Sequence, residues 1–235
     1  MDRDGKERLL RFIGYGRLDA PIWFLGMEEG GGGEERLSIQ SKFNQIEDLR
    51  DAHRKLDIRE WHEGRRKLQP QWNKMSEFML RVEGHSGPTR EERRAYQAEH
   101  LGRSHGNSLL LELLPLPKPN VKSWDYSLSF PEYVDVAAYR NAIVPQRIAL
   151  ISILVAKHKP RIIVAYGKEY WGYYRQIMSA VEFSERSGFS VGSMGETTMI
   201  LTHFLSRKEM NGRHEILANI ALEFLGGPLA DNNLR

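Results

Sequence analysis

Two segments far apart in the chain carry residue types able to do chemistry. Pro21 to Gly33 is an apolar run that opens into Glu28-Glu29 and four glycines, Gly30 to Gly33. Thr197 to Arg207 is a second apolar run that ends in His203 and passes through Ser206 and Arg207 toward Asn211. Carboxylates at the mouth of a buried strand can activate water or balance a developing cation. An imidazole at the end of another can donate to an oxyanion or to a leaving group that gathers negative charge. Each also has a plain structural use, as a solvated acidic turn and as a histidine bonded to backbone. A third carboxylate, Glu112, interrupts the apolar run Leu109 to Leu114. Burying it unpaired costs roughly several kcal/mol, so it is paired, faces a cavity, or lies on an edge strand in water.

Glycines after a strand let the backbone approach a ligand closely. Phosphate cradling is nonetheless a poor reading here. No G-K-[ST] ending follows, the dinucleotide glycine spacing is absent, and two carboxylates stand where a phosphate needs donors. The chain has no cysteine, which excludes disulfides, thiolate metal sites, cysteine nucleophiles and cysteine-bound iron–sulfur clusters. A net charge of +3 permits an anionic partner without demanding one. Arg65, Arg66, Lys67, Arg90, Arg93 and Arg94 are candidate phosphate contacts, and Trp61, Trp72 and Trp124 candidate stacking platforms. Charged helix faces over an aromatic core are the simpler reading of most of them.

These residues need elements to position them. Four short apolar runs, 22–26, 108–114, 161–166 and 198–202, are bounded by Pro, Gly or polar breakers and predict buried parallel strands. Helical spacing links them. Ile39, Phe43, Ile46 and Leu49 share one face, as do Trp72, Met75, Met79 and Val82. Tyr133 to His158 reads as a long helix with a kink or break near Val144, ahead of Pro145. Tyr170 to Val181 and Ile216 to Phe224 complete the set, the last before Gly226-Gly227-Pro228. The alternation predicts a three-layer α/β/α sandwich with right-handed crossovers. Ligands bind at strand C-termini in such sheets, so Glu28, Glu112 and His203 are expected in one crevice.

Residues 34–107 read as a charged helical insertion beside that crevice, 1–228 as a single domain, and 229–235 as a frayed tail. Met1 to Arg8 lacks the apolar core of a signal peptide. No run approaches the roughly 18 apolar residues of a membrane span. A cytoplasmic protein is expected, with no membrane association and no obligate protein partner.

Taken together, the strand-linked segments resemble the uracil-DNA glycosylase superfamily. Phe24-Leu25-Gly26-Met27-Glu28-Glu29-Gly30 is similar to that family's G-x-x-P-G motif, above all its G-M-N-P-G form. Lys159 to Lys168 resembles the K-P-x-x-I-V-x-L-G-K strand and turn, and Thr202 to Ser206 the H-P-S motif. Leu109 to Asn120 matches the strand that carries a base-reading asparagine and its proline-rich sequel. The sequence departs from the pattern at Glu29 and Phe204, which replace prolines, and at Glu112, which lacks an amide donor.

The resemblance implies a central four-stranded parallel sheet in order 2-1-3-4, with a DNA groove across the strand C-termini. It implies cleavage of the N-glycosidic bond of a deaminated or modified base flipped from single- or double-stranded DNA. Glu28 would be the catalytic carboxylate and His203 would stabilise the departing base. Gly26, Met27, Glu29, Gly30 and Glu112 would bind the base or substrate, and Ser206, Arg207 and Asn211 would hold the DNA strand. No cofactor or metal is required. Two alternatives stay open: metal-dependent phosphoester hydrolysis using Glu28, Glu29, Glu112 and His203 as hard ligands, and a non-catalytic nucleic-acid-binding module.

Overall fold

The computed structural model describes residues 1–64, 67–120 and 122–229. At its centre β2 (Ile22–Gly30) pairs in parallel with β4 (Ser108–Lys118) on one side and β5 (Ile162–Tyr166) on the other. β5 in turn pairs in parallel with β8 (Thr197–Thr202). Short strands widen this centre. Antiparallel β1 (Gly14–Gly16) flanks β4, with β3 (Ile46–Glu47) outside it. On the other edge β7 (Phe189–Met194) runs antiparallel to β8, and β6 (Ser184–Arg186) closes the hairpin. The order is β3-β1-β4-β2-β5-β8-β7-β6. The expected four-stranded parallel sheet is therefore corrected to a mixed eight-stranded sheet of an α/β fold. β1, β3 and β6, of two or three residues, carry too few side chains for an alternation to show in sequence, and β7, though six residues long, offers only Phe189 and Val191 before Gly192.

The central strands are apolar throughout because both faces are covered. Ile22, Phe24, Leu110, Val164 and Ile200 belong to one core cluster. That cluster also holds side chains of α3 (Leu49–Lys55), α4 (Pro70–Val82), α5 (Arg90–Glu99) and α8 (His214–Leu225). Trp23, Leu25, Leu111, Ile163 and Leu201 belong to the opposite cluster. Its helices are α1 (Arg3–Arg11), α2 (Glu34–Gln40), α6 (Val136–His158) and α7 (Trp171–Ile177).

The helices that frame the site start where local chemistry dictates. Pro70 occupies the first turn of α4, and the Gln69 side chain caps it by accepting from the Trp72 amide at 2.7 Å. Thr89 and Glu92 form a reciprocal capping box at the start of α5. The single face expected over Ile39 to Leu49 is not one helix. α2 ends at Gln40, Ile46 enters β3, and Asp48 caps a new helix by accepting from the Arg50 and Asp51 amides. The 34–107 segment is accordingly mixed, and it contributes a strand to the sheet.

α6 runs through Pro145 without interruption. Its buried stripe Tyr139, Ile143, Arg147, Ile151 and Val155 packs along the whole length, which offsets the roughly 3 kcal/mol that an interior proline costs. Tyr170 sits in a 3₁₀ turn, Lys168–Tyr170, and α7 ends at Ile177, short of Val181. β4 continues beyond Leu114 through Pro115 and Pro117. β1 pairs only with residues 109–111, so the prolines lie where one side of the strand is open. The Leu229 amide donates to the Val82 carbonyl at 2.8 Å, so this first residue of the expected frayed tail is docked; 230–235 lie outside the described residues. No described helix is long and apolar enough to cross a membrane.

Candidate functional site

Strand register sets the first three members of the site. Gly26 of β2 is level with Glu112 of β4, and on its other side with Tyr166 of β5, one step past the Leu25–Ala165 pair. The missing side chain of Gly26 leaves the space that these two groups fill. A methyl group there would lie 2.7 Å from the Glu112 carboxyl carbon and would also strike the Tyr166 hydroxyl. Across this gap the Tyr166 hydroxyl donates to Glu112 Oε1 at 2.9 Å. Glu112 Oε2 is buried and has no partner among the described residues. On the opposite side of the sheet the buried Arg147 guanidinium donates to the Glu112 and Leu113 carbonyls at 2.9 and 3.0 Å, pinning this stretch of β4.

This row floors a cleft of about 450 Å³ at the strand C-termini, within the roughly 300–1,000 Å³ typical of ligand sites. Its walls include Glu29, Arg36, Trp61, Trp72, Phe204 and Ser206. A narrow recess of about 50 Å³ adjoins it, between Phe12, Tyr15, Trp72, Met75 and Leu110, with Glu29, Glu112 and Tyr166 lining both. Such a slot admits the edge of a planar group. The Ser206 amide donates to Gln71 Oε1 at 3.1 Å, tying the loop after β8 to α4 at the rim.

The two adjacent glutamates part company. Glu29 is held on the Tyr15 side of the sheet. Arg36 donates to it in a very short contact, the Tyr15 hydroxyl donates at 3.0 Å, and Gln40 donates at 3.3 Å. Burial, then the Glu29 charge, raises the Tyr15 hydroxyl well above its ordinary value, so it stays a donor. Glu28 instead pairs with Lys118 at 2.9 Å and with Arg140 of α6 at 3.7 Å, in surroundings where Lys118 is 1% and Glu28 6% exposed. Glu28 thus lines the cleft in an ion pair with Lys118 and Arg140, and Glu29 lines it beside Glu112.

The remaining expected residues divide likewise. Gly26 sits in the row, and Gly30 and Ser206 line the cleft. Met27 is 2% exposed and packs in the core cluster of the opposite face, so it does not face the cleft. His203 does not line the cleft; its ring stands edge-on to Trp171 at 6.4 Å, with no hydrogen bond to a described residue. Arg207, stacked over Phe204 at 5.9 Å, and Asn211 are exposed in the loop beyond. Of the candidate nucleic-acid contacts, Trp61 and Trp72 line the cleft, whereas Trp124 packs on Tyr139 and Arg93 turns inward to Asn73 and Glu77. Arg65 and Arg66 lie outside the described residues. Among the described residues no group of three His, Cys, Asp or Glu side chains is placed to hold a metal ion, so the phosphoester-hydrolase ligand set is not assembled.

Burial pushes the Glu112 carboxyl up to about 8; the Tyr166 hydrogen bond and Arg147 oppose this, while Glu29 and Glu28 reinforce it. At neutral pH the group is a carboxylic acid, able both to donate and to accept. The folded state therefore holds a proton that the unfolded chain releases. Stability from this group is intact below the ordinary carboxyl value and is lost as pH rises through about 8. Urea titrations from pH 5 to 9 are expected to show that decline, and Glu112→Gln to flatten it. An unchanged slope in the variant would mean that another group carries it.

Sequence reasoning missed Tyr15, Arg36, Tyr166 and His53. For Tyr166 the small residue level with it, Gly26, is the signal that the sequence carries. The other three come from segments whose placement beside the strand ends only the folded chain defines. No protein-family model and no curated protein matches the sequence.

Proposed function

We propose that this protein hydrolyses the N-glycosidic bond of a deaminated or modified base in DNA, as a divergent member of the uracil-DNA glycosylase superfamily. The observation that carries the reading is the buried Glu112 carboxyl, with one oxygen unpartnered among the described residues, beside Glu29 held by Arg36 and Tyr15 in one cleft at the strand C-termini. By first appearance the four central strands stand in the order 2-1-3-4, which also supports it.

A base flipped from the stack would put its edge into the recess and its sugar near Glu29. The C1′–N bond breaks with its electron pair leaving on the base, and the sugar gains oxocarbenium character. Glu29, immobilised by Arg36 and Tyr15, stabilises that cation and accepts a proton from the attacking water, whose oxygen bonds to C1′. The Glu112 acid donates to the base as it gathers charge, the part that the sequence assigned to His203. Trp61 and Trp72 offer faces for stacking, and the exposed Arg207 a phosphate contact.

The test is cleavage of end-labelled oligonucleotides carrying a panel of deaminated and damaged bases, in chelator, with alkali to reveal abasic sites. A cut at one modified base, lost in Glu29→Gln, is the expected result. A blank panel with salt-sensitive binding would favour the non-catalytic nucleic-acid-binding reading instead.

A further inference from the structure

An imidazole contributed by the 34–107 segment faces the cleft. His53 of α3 is 2% exposed, and it forms part of the cleft wall. Its Nδ1 lies 3.0 Å from His62 Nε2, and His62 Nδ1 lies 3.4 Å from the Ala98 carbonyl oxygen. A carbonyl oxygen only accepts, so His62 carries its proton on Nδ1 and donates it to Ala98. His62 Nε2 is then an acceptor, and His53 must donate to it from Nδ1. The lone pair left over is on His53 Nε2. That atom has no hydrogen-bond partner among the described residues, yet it is not one of the sealed polar atoms, so it opens onto the cleft.

Packing keeps the ring in place. It stands edge-on to Tyr15 at 6.3 Å and tilted against Trp72 at 5.2 Å. Burial, then His62 and the Arg36 guanidinium, hold His53 down to about 3, so it stays neutral across the physiological range. A neutral imidazole with one bare nitrogen accepts a hydrogen bond and repels a carbonyl or phosphate oxygen, which brings only lone pairs.

We infer that His53 Nε2 is a tautomer-locked acceptor that recognises an N–H or amino group of the base bound in the cleft. Only the naming of the ligand as a nucleobase rests on the proposed function; the lock itself rests on the Ala98–His62–His53 chain. His53 thereby supplies an acceptor to complement the donor offered by Glu112, and it selects against ring edges that carry oxygens alone.

The experiment is nitrogen-15 NMR of the histidine rings in the full chain, free and with uracil, hypoxanthine or xanthine added as product bases. In the free protein His53 and His62 are expected as neutral Nδ1–H tautomers between pH 6 and 8. A His53 protonated on Nε2, or on both nitrogens, would overturn the lock. On addition of a base that binds, the His53 Nε2 resonance is expected to move as it accepts a hydrogen bond, with His203 unmoved. His53→Phe, which preserves a flat ring between Tyr15 and Trp72, is expected to weaken that base about 10-fold or more.

Base binding that leaves His53 unmoved overturns the inference alone; failure of all three bases to bind overturns it too and, together with a blank cleavage panel, also overturns the glycosylase reading. A shifted His53 with a blank cleavage panel overturns the glycosylase reading alone.

Discussion

Gly26→Ala is expected to lower cleavage by about 100-fold or more while the protein still folds. The backbone at Gly26 does not need glycine for its conformation, since its φ is not among the positive ones. The new methyl would fall onto the Glu112 carboxyl and the Tyr166 hydroxyl. Those side chains must then separate, and displacement of a reacting group by about 1 Å is enough for a 10²-fold loss. The accompanying overpacking should cost about 1–3 kcal/mol. A double substitution separates the two effects. Adding Glu112→Ala to Gly26→Ala removes the clash with the carboxyl and leaves space into which the Tyr166 hydroxyl can shift, so stability should recover in part relative to the single variant while activity does not. A fully active Gly26→Ala would show that the carboxyl crossing this strand is irrelevant to the reaction.

The adjacent glutamates should respond in opposite ways. Glu29→Gln keeps acceptor and donor groups for Tyr15 and Arg36 but removes the negative charge, so kcat is expected to fall about 10²- to 10⁴-fold. The stability loss should stay on the order of 1–2 kcal/mol, because both the Glu29 and Arg36 side chains keep some solvent contact, 20% and 16%. Glu28→Gln should retain much of the activity yet destabilise by about 1–3 kcal/mol, since it removes a counter-charge beside a lysine that is 1% exposed. Chemical denaturation and single-turnover cleavage of the two variants, measured side by side, check the assignment. Loss of chemistry in Glu28→Gln with intact chemistry in Glu29→Gln would return the catalytic role to Glu28.

Both predictions turn on which way a side chain points, and this is where sequence and structure part. The four central strands, their breakers and the helix over Trp72 to Val82 were legible, because continuous apolar runs and a 3.6-residue stripe report burial directly. The strand-end position of Glu28, Glu29 and His203 was legible for the same reason. Strict alternation places Glu28 on the Phe24 side of β2. The structure turns it to Lys118 and Arg140 and turns Glu29 to Tyr15, in the stretch where the β2–β4 register shifts between Glu28 and Gly30.

By itself, the sequence determined an α/β chain with an acidic pair at the end of one buried strand, a carboxylate inside the next, and no thiol chemistry. Burial patterns and residue chemistry are local properties, written residue by residue. Tertiary structure alone decided that Glu112 crosses a glycine to meet Tyr166, that Arg36 immobilises Glu29, and that His53 rather than His203 lines the cleft. Each of these contacts joins residues from separate elements, and the largest spans 54 positions of chain. Their geometry depends on strand register and helix docking, which no periodicity along the chain encodes.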